Sequence, residues 1–304
     1  RLDNPEILLA QIGYYRGGLL FGRGDREGCI VAHEMAYRNA VAADDPVWTA
    51  HALSGLGDAH YAAGRMAQAL ENFHKCIELC DRHDIGDIAV SNRFIQGNCR
   101  RYLNEFEAGY EDATRSLEGA RIVRNSRVQM VSAMICGEFE IDRGETDRAF
   151  NSLQESLSVC ENLGNRRFRA YTLTHVARAH HVTGNTPDAT AAAREAMTIS
   201  RETDPTFVGP RAAAILALTL GDADEARDAL SEGENILEPG CIAHNYLWFW
   251  RDALEWAIET GNSALTRTYA TRLETCIDGE PLPWARLLAD RGRALADHAD
   301  GRTD

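Results

Sequence analysis

Arg101, Arg178, Arg211 and Arg251 are the residues of this chain best suited to recognition chemistry. A guanidinium is planar and always charged, and its paired N–H donors match a carboxylate or an acidic peptide. Lys75 is the only lysine, so any strongly positive site must be built from arginine. Asp58, Glu138 and Glu255 recur at related positions, and two readings follow. Either the arginines bind a carboxylate-bearing partner, or they pair with these acids and satisfy a solvated face. His51, Tyr61, Asn98 and His181 complete this candidate binding set.

A second candidate region is aromatic: His244, Asn245 and Trp248 lie in a segment that, with Trp284 nearby, holds four of the five tryptophans. Such density either covers the last unit of a repeat array or forms a pocket with His244 and Asn245 as its polar groups. His74, Cys76, Cys80 and His83 invite comparison with a zinc site, since Cys76 and Cys80 share a helical face. They lack a Cys-x-x-Cys pair, and buried free cysteines serve as small hydrophobes, so packing is the expectation and no metal or cofactor is assigned. With no lysine in a glycine-rich loop there is no phosphate cradle, and no nucleophile elbow or His-Glu-x-x-His helix occurs. No catalytic residue is assigned. Arg23-Gly24-Asp25 spells an adhesion tripeptide but reads as a turn.

The 46 acidic residues outweigh 32 basic ones, for a net charge of −14, so the overall field disfavours nucleic acid and anionic lipid. A hydrophobic fraction of 44% is that of a folded chain. No apolar stretch is long enough to span a bilayer and no basic-then-apolar leader opens the chain, so a cytoplasmic location is expected. Eight cysteines are too few for a disulfide scaffold. The first residue, Arg1, suggests a piece of something longer.

What must position these side chains is a repeat. Gly24, Gly64, Asn104, Gly144, Gly184, Gly221 and Gly261 are spaced by 40, 40, 40, 40, 37 and 40 residues, each between two helix-like stretches. Glycine and asparagine tolerate the positive φ that reverses a chain, so these are inter-helix turns. Seven residues before each turn stand Gly17, Gly57, Gly97, Gly137, Ala177, Ala214 and Leu254. Five after stand Cys29, Ala69, Gly109, Ala149, Ala189, Ala226 and Thr266. Tiny residues on both sides of a turn let two antiparallel helices approach closely. His33, Phe73, Ala113, Leu153, Ala193, Leu230 and Ala270, nine after each turn, continue the buried face. On the opposite stripe, 13, 10, 6 and 3 residues before each turn, fall the candidate binding residues named above.

Leu53, Leu56, Gly57, Tyr61, Gly64, Ala69 and Phe73 resemble the tetratricopeptide repeat. The period of 40 exceeds the usual ~34 of that repeat, and Arg93 and Arg100 stand where other units are apolar. The resemblance implies an all-α, right-handed superhelix of about seven helical hairpins. It would be one solenoid over residues 1–304, closed by a helix over 283–299, with the candidate set on its concave side. The segments Leu53–Cys80, GCIAHNYLWFWRDA from Gly240 and EPLPWARLLADRGRALA from Glu280 resemble the C-terminal repeat region of bacterial class III adenylate or guanylate cyclase–ATPase signalling proteins. That resemblance implies a non-catalytic interaction and sensing module that binds a peptide or protein segment and regulates an upstream ATPase and cyclase. The alternatives are a small-molecule receptor with the aromatic region as its pocket, and an oligomerisation scaffold.

Overall fold

The computed structural model describes residues 4–22, 25–277 and 280–302. Among them the chain is all-α, with fifteen helices and no strand. They are α1 (Pro5–Gly22), α2 (Arg26–Ala42), α3 (Pro46–Ala62), α4 (Met66–His83), α5 (Gly86–Tyr102), α6 (Phe106–Ile122), α7 (Ser126–Asp142) and α8 (Thr146–Asn162). There follow α9 (Arg166–Val182), α10 (Thr186–Glu202), α11 (Pro205–Thr219), α12 (Ala223–Leu237), α13 (Ala243–Glu259), α14 (Ser263–Thr275) and α15 (Pro283–Ala299). Consecutive pairs form hairpins, and α15 follows the seventh. The expected turn at Gly24, and most of the Arg23-Gly24-Asp25 tripeptide, lie outside the described residues.

Left-handed backbone punctuates the chain twice as often as the glycine spacing implies. Gly64, Asn104, Gly144, Gly184 and Gly261 take positive φ between the helices of a hairpin, as expected. Asp44, Asp84, Arg124 and Gly164 do the same between hairpins. From Asp44 to Gly184 the chain therefore reverses every 20 residues, and most helices are 17 residues long. Helix starts are fixed by side chains that satisfy orphan amides: Asp45 accepts from Trp48 N at 2.9 Å, and Asn165 from Phe168 N at 3.2 Å. Pro46, Pro187 and Pro205 sit in first turns, where no intrahelical donor is lost.

The tiny-residue columns meet inside each hairpin. A Cβ added to Gly17 would lie 2.3 Å from the His33 ring, and one on Gly57 would lie 2.4 Å from the Phe73 ring. One on Gly137 would lie 2.7 Å from Leu153 Cγ. The side chain nine after a turn thus fills the slot left by the glycine seven before it. Cys29 donates its thiol to Gly17 O at 3.3 Å, joining the two columns directly. Three residues further along, Cys76 donates to Ala50 O (3.3 Å) and Ser116 to Val90 O (2.8 Å), which satisfies small polar groups in a dry interface. Arg93 and Arg100 break the apolar pattern of the third hairpin and are matched by acids. Arg93 pairs with Asp81 at 3.1 Å, and Arg100 with Asp112 at 2.9 Å.

Two compact units divide the chain at Ser132/Ala133. In unit 1, the first helices of successive hairpins touch, α1 against α3 and α3 against α5. In unit 2 the same holds for α9, α11, α13 and α15.

Candidate functional site

In unit 1 the first-helix row carries aromatic and neutral polar groups together with one acid, Asp58, and one arginine, Arg101. His51, on α3, packs against Tyr14 (5.3 Å between centroids) and Trp48 (5.1 Å), and burial lowers its pKa. Asp58 is one α-helical heptad further along α3. Burial pushes its carboxyl up to about 7, a rise that Arg127 opposes. Asn98 donates its amide to Tyr61 Oη at 2.8 Å, and both are buried. Arg101 is 1% exposed, deep in the row.

Unit 2 uses the equivalent positions for a buried ionic cluster around one indole. Trp248 on α13 is 1% exposed. Three guanidiniums lie over its ring: Arg211 from α11 at 4.0 Å, Arg251 from α13 at 5.0 Å and Arg178 from α9 at 5.5 Å. A guanidinium gains from the ring's negative face, more so where water is excluded. Asp252 binds Arg178, and the same Oδ1 atom lies 3.2 Å from Arg251 Nη1. Glu138 on α7 stands 3.7 Å from Arg211 and 3.8 Å from His175 Nε2, while Arg211 Nη2 lies 3.1 Å from His175 Nδ1. Each buried charge therefore has a partner, without which its desolvation would be prohibitive.

The remaining candidates sit at the margins of this cluster. His181 meets Glu259 at 2.9 Å, a second link from α9 to α13. Glu255 takes Arg291 of α15 at 2.6 Å, so its partner lies outside the expected stripe. His244 stacks on Tyr171 with centroids 5.7 Å apart, and burial with Arg211 beside it lowers its pKa to about 3, so it is neutral. Trp248 packs on Trp284 of α15 at 5.4 Å.

Asn245 has a backbone role. Proline at 210 lies inside α11 and lacks the N–H that would bond the carbonyl of Thr206, four residues earlier. Asn245 Nδ2 donates to Thr206 O at 2.9 Å and to Phe207 O at 3.2 Å, supplying the missing donor.

The stripe of 13, 10, 6 and 3 residues before each turn omits Asp252 and His175, which complete the cluster. Both stand nine before a turn, one helical step beyond Trp248 and Tyr171. Including that fourth-residue step would have found them. His74, for its part, pairs with Glu78 at 3.3 Å on an exposed face, while Cys76 and Cys80 are buried. The neighbouring Cys80 thiol and burial raise the Cys76 pKa, whereas Cys76 beside it lowers that of Cys80.

A tetratricopeptide repeat model matches residues 49–83, which span α3 and α4. No curated protein sequence matches the chain. Among solved structures, a Rap protein complexed with competence and sporulation factor is similar with a TM-score of 0.78, 14% identity, and coverage of 96% of this chain and 78% of that one. The apo form of RapI gives 0.68 at 15% identity, over 96% and 98% of the two chains. NprR in complex with its cognate peptide NprX gives 0.66 at 12% identity, over 98% and 84%. The fold is accordingly the tetratricopeptide-like array of helical hairpins. No helix among the described residues is long and apolar enough to cross a membrane.

Proposed function

We propose that this chain is a non-catalytic peptide-interaction and sensing module, and that the first-helix face of unit 2 takes a carboxylate-bearing segment of a peptide or protein. The observation that carries this reading is the convergence of Arg178, Arg211 and Arg251 on Trp248, at 4.0 to 5.5 Å. Three charged forks from three helices form a recognition geometry for carboxylates, and Trp248 adds a flat apolar surface for the adjoining side chain. Two proteins of like fold were solved with peptides bound, the Rap regulator of plasmid pLS20 with Phr* and NprR with NprX. The likeness of the Gly240 and Glu280 segments to cyclase–ATPase proteins supports a cytoplasmic role in regulating an ATPase and nucleotide cyclase of the same polypeptide.

The test is an array of acidic peptides with free or amidated C-termini, probed with the wild-type chain and with Arg178→Ala/Arg211→Ala. Circular dichroism and melting temperature verify that the double variant is folded. We expect the variant to lose at least about tenfold in affinity, because removal of a buried charge partner at an interface typically weakens binding by that much or more. Equal binding by both chains sinks the proposal. A folded Arg251→Gln variant, whose side chain is 13% exposed at the edge of the cluster, gives the same reading with less disturbance of the core.

A further inference from the structure

We infer that Asp252 is a built-in surrogate for the ligand's carboxylate: it occupies the guanidinium site that an acidic peptide must enter, and is displaced when the peptide binds. This rests on the reading above and adds how the site is held when empty. Arg178 comes from α9 and Asp252 from α13, on either side of α11. One oxygen, Oδ1, serves Arg178 and, at 3.2 Å, Arg251. The pair lies against the Trp248 ring, where both guanidiniums are within 5.5 Å of its centroid. Asp252 is 1% exposed and Arg178 is 4% exposed, so neither charge is kept by solvent and each depends on the other.

Arg251 is the way in. Its side chain is 13% exposed, while the carboxylate that it shares with Arg178 is 2% exposed. An incoming carboxylate can engage Arg251 first and then replace Asp252 on Arg178. The exchange conserves the number of ion pairs at Arg178, so no buried guanidinium passes through an uncompensated state, and the displaced Asp252 keeps Arg251, 3.2 Å from its Oδ1, as its counter-ion. It also cuts an ionic link between α9 and α13, leaving the His181–Glu259 contact at 2.9 Å and the Tyr171–His244 stack among those that still join them. Ligand entry is thereby coupled to the spacing of two first helices, which is what a sensing module requires: a differential interaction with two arrangements.

The counterintuitive consequence is that removing an acid strengthens binding of an acid. In Asp252→Asn the isosteric amide no longer competes. Two readouts apply to this variant and the wild-type chain. The first is the melting temperature in sodium acetate against sodium chloride at equal ionic strength. Acetate should raise the melting temperature of Asp252→Asn and not that of the wild type, because only the variant has a vacant carboxylate site. The second is the affinity for the best acidic peptide of the array, which should tighten by about tenfold in the variant. If Asp252→Asn does not fold, the substitution is made in an Arg178→Gln background, where no buried charge of the pair is orphaned. A smaller gain, through release of Arg251 alone, is then expected.

The outcomes separate the two claims. If acidic peptides bind the wild type and are lost in Arg251→Gln, but Asp252→Asn binds them equally or more weakly, Asp252 positions the arginines and the surrogate inference is overturned while the peptide reading stands. If neither chain binds any acidic peptide, the peptide reading fails, and the inference with it. No acetate effect in Asp252→Asn overturns the inference by itself.

Discussion

At the residue six before each hairpin turn, unit 1 carries Gly18, Asp58 and Asn98, whereas unit 2 carries Glu138, Arg178, Ile215 and Glu255. The backbone positions are equivalent, yet the side chains reach different electrostatic solutions. Asp58 is a half-buried acid whose carboxyl is pushed up to about 7. Asn98 is buried without charge and bonds a phenol. Glu138 is buried against Arg211 and His175, and Arg178 against Asp252. The repeat fixes where a side chain points; whether it can keep a charge there is decided by what the neighbouring first helices supply.

Breaking the ionic side of this contrast should have the largest effect. Glu138→Ala leaves Arg211 buried without its acid and should destabilise the chain by about 3–5 kcal/mol in urea titration. Asn98→Ala removes only a neutral hydrogen bond to Tyr61 and should cost about 1–2 kcal/mol. Similar losses would mean that the two rows are not electrostatically distinct. The glycine slots offer a second comparison. Gly57→Ala meets the rigid Phe73 ring and Gly137→Ala the more adaptable Leu153 side chain. Both should lose about 1–3 kcal/mol, the former more. A reversed order in thermal melts would argue against the ring as the obstacle.

The pH dependence sharpens the comparison further. A carboxyl raised in the fold contributes stability below its unfolded value of 3.8, and that contribution is lost as pH rises through about 7. Asp58→Asn should therefore be neutral below about pH 4 and stabilising by about 1–2 kcal/mol at pH 8, a value reduced by the group's partial solvent access. His33, lowered by burial to about 4, and His244, lowered to about 3, have the opposite sign. Their stabilising contribution is full above pH 6.5 and is lost as pH falls through the folded values, one in each unit. A urea midpoint for Asp58→Asn that tracks the wild type from pH 5 to 8 would exclude the assignment. The smallest effect belongs to the surface. A double-mutant cycle on Arg194–Glu225, 3.4 Å apart with both side chains more than 60% exposed, should give at most about 0.5 kcal/mol and vanish in high salt.

Much of this was legible in the residues. Glycine and asparagine at 40-residue spacing gave the turns within hairpins, and the flanking tiny residues gave the close helix pairs. The reversals between hairpins were not legible, because Asp44, Asp84 and Arg124 adopt positive φ without being glycine. The pattern of arginines and acids was also legible, but its pairing was not. Arg178 and Asp252 are 74 residues apart, and their meeting depends on how α9, α11 and α13 are rotated against one another. No local spacing encodes that rotation. Asn245 read as a pocket residue because its real partner is a carbonyl stripped of its donor by a proline in another hairpin.

That last arrangement constrains the history of the sequence. An asparagine at 245 can arise while α11 still has an ordinary residue at 210, since a second donor to the Thr206 carbonyl is harmless. The opposite order passes through an ancestor whose Thr206 carbonyl has neither a helix donor nor an asparagine to replace it. Once the proline is in place, losing the asparagine leaves that carbonyl to solvent alone, so the two residues are expected to vary together among relatives.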